Sequence, residues 1–353
     1  MSRNLKELSP QELAAWLAAE GEPSYRARQI LRWAFQRGAR SFAEMSDLSK
    51  RLRARLTESF AIPGPQLVRL ARAQDRTRKL LLGLADGGRI ESVLIPAESS
   101  DRLTLCISSQ VGCGMGCAFC ATATLGLKRS LKAHEIVDQV LEARRELAES
   151  AARGEPQSTI TNVVFMGMGE PLHNADEVVR AIGVLTADWG VGLSPRRITV
   201  STVGLVPQIE RLLRDTKVNL AVSLSATTDE QRARLMPVNR RYPLAALLGA
   251  CRRLPLPGRK RITFEYVMLR GVNDSLEDAR RLGQLLRGIP SKVNLIPFNE
   301  FPGVPFASSA RATIEVFRGA LLRQGVHATI RESRGGDIQA ACGQLAAAEL
   351  PAA

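Results

Sequence analysis

The chain changes its hydrophobic rhythm twice. Up to about Pro63, apolar residues recur at helical spacing in three stretches, residues 9–21 (SPQELAAWLAAEG), 24–38 (SYRARQILRWAFQRG) and 41–60 (SFAEMSDLSKRLRARLTESF), with Ser and Pro at starts and Gly at stops. From Gln66 to Gln110 the rhythm shortens to that of strands: QLVRLARAQD, RKLLLGLADG, RIESVLIPA and LTLCISSQ, separated by turn-forming DGG and ESSD clusters. This predicts a small sheet leading into the main fold. After Cys120, apolar β runs alternate with helical stretches long enough for crossover connections, such as AHEIVDQVLEARRELAES and LVPQIERLLRD. The runs are TNVVFMGMG, RRITVSTVG, VNLAVSLSA, RITFEYVML and KVNLIPFN; with LTLCISSQ they make six βα units and predict a parallel sheet, either a barrel or doubly wound. The division expected is a helical accessory module at 1–63, a β-rich connection at 64–105 and an α/β core at 106–353. No low-complexity linker or short internal repeat interrupts it.

Composition narrows the class. Of 353 residues 45% are apolar and 24% charged, as in a globular protein rather than a disordered one. The 49 Lys and Arg exceed the 35 Asp and Glu by 14, a positive field that attracts polyanions, with RNA or DNA the natural partner. Charge alone equally allows a basic protein with a solvated surface. The arginine-rich polar faces of the first 60 residues carry the same two readings, phosphate contact or solvated face. No apolar run approaches bilayer length, and the N-terminus lacks the apolar core of a signal peptide, so the expectation is a cytoplasmic protein with no membrane association. There thiols stay reduced, and the six cysteines read as metal ligands or catalytic groups rather than structural disulfides.

The chemically distinctive segments share one location. The cysteine-rich, GEP, STVG, SLSA and PFNEFPG segments each follow an apolar β run, at the end where parallel α/β folds gather their active sites. Taken singly, each is an ordinary turn. Cys113, Cys117 and Cys120 form a CxxxCxxC in VGCGMGCAFCATATLG. Three thiolates on a cubane cluster leave one iron free for a small molecule, whereas electron-transfer clusters usually take four. A structural zinc would need a fourth ligand from His134, His173, His327 or a distant cysteine. The spacing favours the cluster.

This CxxxCxxC, with Phe119 before its last cysteine, resembles the radical SAM superfamily. The chain as a whole is similar to the dual-specificity 23S rRNA and tRNA adenine-C2 methyltransferases, through YRARQILRWAF, LCISSQVGCGMGCAFCATATLG, VFMGMGEPL, TVSTVGL, SLSA, NLIPFNEFPG and RGGDIQAACGQL. The resemblance implies a partial (β/α)6 barrel with the helical module and a short β extension. It implies that Cys113, Cys117 and Cys120 hold a [4Fe–4S] cluster whose open iron takes S-adenosylmethionine (SAM), two molecules per turnover. Gly169, Glu170, Ser201, Ser223, Leu224, Ser225 and Asn299 match the SAM-binding positions. Cys342 and Cys106 match the two catalytic cysteines, and Glu91 the general base; without the resemblance Glu91 reads as a surface glutamate on a β edge.

In the mechanism so implied, one SAM methylates Cys342 and the adenosyl radical from a second takes a hydrogen from that methyl group. The carbon radical adds to adenine, a base removes the proton, and Cys106 attacks the Cys342 sulfur, leaving a disulfide and methylated RNA. Partners implied are 23S rRNA, tRNA and a flavodoxin-type electron donor, for a monomeric enzyme. The rivals are an adenine carbon-8 rRNA methyltransferase and a non-catalytic metal-bearing RNA-binding protein. Cys251 is expected in the core, Trp33 and Phe35 in the packing of the N-terminal helices, and the histidines on surfaces or helix faces.

Overall fold

A computed structural model describes residues 3–97 and 100–346. Its frame is a ten-stranded sheet whose order follows the chain without a swap. Three antiparallel strands come first: β1 (Gln66–Arg72), β2 (Arg78–Gly83) and β3 (Arg89–Pro96). β3 pairs antiparallel with β4 (Arg102–Cys106), and from there all pairing is parallel. The parallel set continues through β5 (Thr159–Phe165), β6 (Ile198–Thr202), β7 (Asn219–Ser223), β8 (Ile262–Met268), β9 (Ser291–Pro297) and β10 (Ala328–Ile330). The parallel strands therefore number seven, one more than expected, because β10 adds three residues at an edge. The sheet stays open, with β1 and β10 as its edges, so the barrel is partial. The β extension is continuous with the barrel sheet through β3 and β4 rather than forming a sheet of its own.

The crossover helices follow the strands: α5 (Ala133–Ala152), α6 (Ala175–Thr186), α7 (Val206–Asp215), α8 (Asp229–Leu235), α9 (Leu244–Arg253), α10 (Leu276–Leu285) and α11 (Arg311–Arg323), with the single-turn α4 (Ala121–Thr124) after the cysteine loop. Strands such as β7, NLAVS, are apolar almost throughout because helices cover one face and the barrel interior the other. Start signals act where they are expected: Ser275 caps α10 in a capping box with Asp278, and Thr228 accepts from Gln231 N–H at the start of α8.

The N-terminal segment forms α1 (Pro10–Ala19), α2 (Arg26–Phe35) and α3 (Lys50–Ser59). Several of its basic residues form ion pairs with the rest of the chain, one of them buried and the others at the surface. Lys6 pairs with Asp138 in a contact buried on both sides, Arg40 pairs with Glu142, and Arg28 pairs with Asp188. Phe35 reaches beyond its own module to Trp189, with ring centroids 6.1 Å apart. Trp33 lies under the Arg37 guanidinium and donates from Nε1 to Asp47 Oδ1 at 2.6 Å.

Helix α5 ties the three parts together through a stripe of buried polar residues. Asp138 and Glu142 hold the N-terminal module, Gln139 bonds Ser92 and Ser108, and Glu146 pairs with Arg72 and Arg78 of the β extension. Buried charges are retained only when paired, so each carboxylate fixes where its partner segment sits. Cys251 is fully buried, as expected, and His327 and His173 are exposed. Among the described residues no helix is long and apolar enough to cross a membrane.

Candidate active site

The parallel strands aim their C-terminal ends at one mouth. There the chain delivers Cys106 from β4, Met166 to Glu170 after β5, Ser201 from β6, Ser223 from β7, Glu265 and Val267 from β8, Asn299 after β9 and Arg331 after β10. Two adjoining cavities open among them. The inner one is walled by Cys117, Cys120, Gly169, Glu170, Ser201, Ser223 and Asn299, with Glu265 and Phe298 completing it. The outer one is walled by Cys106, Ile95, Ala341 and the run Arg331 to Arg334. Cys342, Met166, Ile296, Asn299, Arg331 and Leu345 stand in both walls.

The cysteine loop is shaped by close backbone packing. Gly112 sits at φ 75° with Gly126 against it, and a Cβ there would come within 1.9 Å of the Gly126 carbonyl oxygen, which also accepts from Cys113 N–H. All three thiols are free. Burial pushes Cys113 up to about 11 and drives Cys117 and Cys120 upward as well, with mutual repulsion adding for Cys113 and Cys117. Desolvated thiols of this kind are stable as thiolates only against cationic metal, which is the donor chemistry an iron–sulfur cluster needs. Among the described residues no three His, Cys, Asp or Glu side chains close on a point as one metal ion requires. Three cysteines are the ligand number of a cubane cluster with one open iron, whereas a structural zinc site closes with four.

Glu170 is buried and held by backbone: Oε1 accepts from Leu172 N–H at 3.0 Å and Oε2 from Val203 N–H at 2.9 Å. Burial pushes its carboxyl up to about 7, against the pull of those two amides. Gly169 precedes it at φ 97°, where a Cβ would lie 2.8 Å from the Gln110 nitrogen; Gln110 Oε1 in turn accepts from Glu170 N–H. Ser223 lines the inner cavity, but Leu224 and Ser225 do not. Leu224 packs in the core, and Ser225 turns away at φ 50° to accept from Val267 N–H at 3.3 Å. Cys113 is likewise absent from the cavity wall, while Asn299 donates from Nδ2 to the Cys342 carbonyl at 3.0 Å.

The loop carrying Cys342 is clamped on three sides. The β1–β2 hairpin holds it through Gly335 N–H to Asp75 and Gln74 N–H to Asp337, each 3.0 Å, and through Lys79 Nζ to the Gln339 carbonyl at 3.1 Å. The cysteine loop holds it through Ala121 N–H to the Gly343 carbonyl at 2.7 Å and Thr122 to the Leu345 carbonyl at 2.5 Å. From the third side, Gln344 donates to the Glu300 carbonyl at 2.8 Å.

Glu91 is not a surface residue. It is 1% exposed, ion-paired with Lys79 at 2.9 Å, and its other oxygen accepts from Ala346 N–H at 2.9 Å. It stands on neither cavity wall, and Ala346, from whose N–H it accepts, directly follows Leu345 of the outer wall. Cys106 and Cys342 are both free thiols. Burial pushes Cys106 up to about 12, with Cys342 raising it further and Arg331 and the Met166 amide opposing.

Three residues at this mouth were not singled out from sequence. Arg232 is fully buried and donates to the carbonyls of Val203, Leu224 and Ser223, binding two cavity loops together. Glu265, buried, and Arg331, half-buried, line the inner cavity as charges.

The comparisons with known proteins agree over nearly the whole length. Residues 3–62 match the ribosomal RNA large subunit methyltransferase N-terminal domain family, and residues 107–283 the radical SAM superfamily. The chain is 55% identical over 344 residues to the dual-specificity RNA methyltransferase RlmN of Geobacter sulfurreducens, covering 97% of this chain and 91% of that protein. It is 53% identical over 343 residues to RlmN of Pelobacter propionicus, covering 97% and 95%. A radical SAM methyltransferase from Sphaerobacter thermophilus superposes with a TM-score of 0.90 at 45% identity, covering 98% of this chain and all of that one.

Proposed function

This chain belongs to the RlmN family of dual-specificity RNA methyltransferases, and from that premise we propose that it methylates carbon-2 of one adenine in 23S rRNA and of the adenine next to the anticodon in tRNA, with Cys342 carrying the methyl carbon and Cys106 releasing it. The chain has the radical SAM fold and is a SAM-dependent RNA methyltransferase that uses a [4Fe–4S] cluster. The observation that carries the residue assignment is that Cys342 stands in the wall shared by two cavities, one bounded by the cluster cysteines and the other by Cys106. Of the six residues in that shared wall, Cys342 is the one with a thiol able to carry a carbon from one side to the other.

When bound, the cluster and two SAM molecules would supply the methyl group, an electron and the adenosyl radical that makes the S-methyl carbon reactive, and the cluster would take the odd electron back once the carbon-2 proton has left. Cys113, Cys117 and Cys120 hold the cluster. Glu170 takes the SAM ammonium, Gly169 lets backbone approach, and Ser201, Ser223 and Asn299 offer short polar groups to ribose and adenine edges. Leu224 and Ser225 continue the same strand-end loop and would meet SAM through backbone rather than side chain. Carbon-2 of adenine is electron-poor and does not attack a methyl cation equivalent, so the Cys342 carbon must reach it as a radical. Glu91 accepts the carbon-2 proton, which requires Leu345 and Ala346 to move aside when RNA docks. The Cys106 thiolate then attacks the Cys342 sulfur; the disulfide is the product of that step, and both thiols are free in this structure.

All of these groups come from one chain, so a monomer suffices for the reaction. It acts in the cytoplasm, with a flavodoxin-type protein as reductant. The target base is flipped or looped out, since neither cavity admits a stacked helix. The carbon-8 enzyme and the non-catalytic RNA-binding protein are the less favoured readings. Cys342→Ala tests the assignment: the substituted enzyme, loaded with cluster, is expected to form neither methylated RNA nor a covalent RNA–protein adduct. Methylation surviving in that variant removes Cys342 from the reaction.

A further inference from the structure

Arg331 occupies an unusual position. It follows the edge strand β10, its backbone N–H is fixed to the Leu295 carbonyl at 2.8 Å, and its side chain stands in both cavity walls beside Cys342, with Cys106 on the outer one. Among the described residues it forms no salt bridge, and its side-chain hydrogen bond goes to a weak acceptor, Sδ of Met166, at 3.6 Å. Its neighbours Glu332 and Arg334 sit at the cavity rim, and Glu332 is already paired with Arg311 at 2.8 Å. A half-buried guanidinium with no carboxylate in contact, and only the charge of Glu265 across the cavity, has charge left to act on another anion.

We propose that Arg331 is a positioning residue for product release, the cation whose field makes the Cys106 thiolate available to attack the Cys342 sulfur. The proposal rests on the two-cysteine reading above. In that step the thiolate pair forms the S–S bond, and the bond from the Cys342 sulfur to the methylene carbon breaks. Its electron pair stays on the carbon, which takes a proton and becomes the methyl group. No thiolate forms readily at Cys106 without help. The strands on either side oppose it with Val93 and Val164, both apolar, and burial drives the thiol up to about 12. Of the charged groups facing it, Cys342 raises it further, and Arg331 with the Met166 amide lowers it. Glu265, across the same space, acts on Arg331 and Cys342 rather than on Cys106. In a low-dielectric cavity a guanidinium needs no direct contact to matter.

The test reads Cys106 by itself. Cluster-loaded enzyme without SAM or RNA is alkylated with iodoacetamide across a pH series, and the rate at each cysteine is read by peptide mass spectrometry. In Arg331→Met and Arg331→Gln the Cys106 profile is expected to move up by about one pH unit or more, with Arg331→Lys keeping most of the wild-type rate. In the full reaction Arg331→Met should then stall as a covalent RNA–protein adduct, as Cys106→Ala is expected to. An unchanged Cys106 profile in folded, cluster-loaded Arg331→Met and Arg331→Gln overturns the proposal. So does a block before adduct formation in a setting where Cys106→Ala accumulates adduct, which would make Arg331 a ligand of the RNA. If Cys106→Ala itself gives no adduct, the two-cysteine reading fails, while the alkylation profile still decides what Arg331 does to the thiol.

Discussion

Lys79 and Glu91 form a buried ion pair, Nζ to Oε1 2.9 Å, that also latches the loop of Cys342: Lys79 donates to the Gln339 carbonyl, and Glu91 accepts from Ala346 N–H. The side chains are 6% and 1% exposed, so neither charge has water to fall back on. The residue matched to the general base is thus part of the structure that closes the site.

Removing one partner of such a pair leaves an uncompensated buried charge. Lys79→Met is expected to lower stability by about 3–5 kcal/mol in urea denaturation, and the double variant with Glu91→Gln to lose clearly less than the sum. Equal stability of Lys79→Met and wild type would show that the latch contributes nothing.

The contact between Lys6 and Asp138 makes the same argument for the N-terminal module, with side chains 4% and 3% exposed. Asp138→Asn should cost about 3 kcal/mol or more and expose α1 to α3 to limited proteolysis before the barrel. Simultaneous digestion of both parts, with unchanged stability, would contradict it.

SAM affinity should depend on pH through Glu170. Its carboxyl is raised to about 7 by burial, so below that pH the neutral form dominates and cannot pair with the ammonium of SAM. Binding is therefore expected to strengthen as pH rises through 7 and to weaken roughly tenfold per unit below it. Glu170→Gln should bind weakly at every pH. Calorimetric titration of the cluster-loaded enzyme at pH 6 and 8 checks this, and equal wild-type affinities would refute it.

Much of this site was legible because its signals are local. A glycine-punctuated CxxxCxxC after an apolar run, and GEP, STVG and PFN at strand ends, locate the mouth from residue type and spacing alone. The burial of Glu91 was not legible, because β3 looks like an edge strand until the Cys342 loop, some 250 residues later, folds across it. The side-chain directions of Leu224 and Ser225 were not legible either, because alternation along the chain does not reveal the left-handed turn at Ser225. Arg331 carries no local signal for a simpler reason: β10 is three residues long with no periodicity to mark it, so nothing in the sequence sets residue 331 apart as a strand end. Glu265 did leave a signal, a charge in the middle of the apolar run RITFEYVML.

The central claim is tested most directly by the product. Enzyme reconstituted anaerobically with iron and sulfide, given SAM, a reductant and unmodified 23S rRNA or tRNA, should yield 2-methyladenosine on nucleoside mass spectrometry against authentic standards. That product should vanish in Cys342→Ala. Formation of 8-methyladenosine instead, or of neither nucleoside while SAM is cleaved by the intact cluster, would contradict the account.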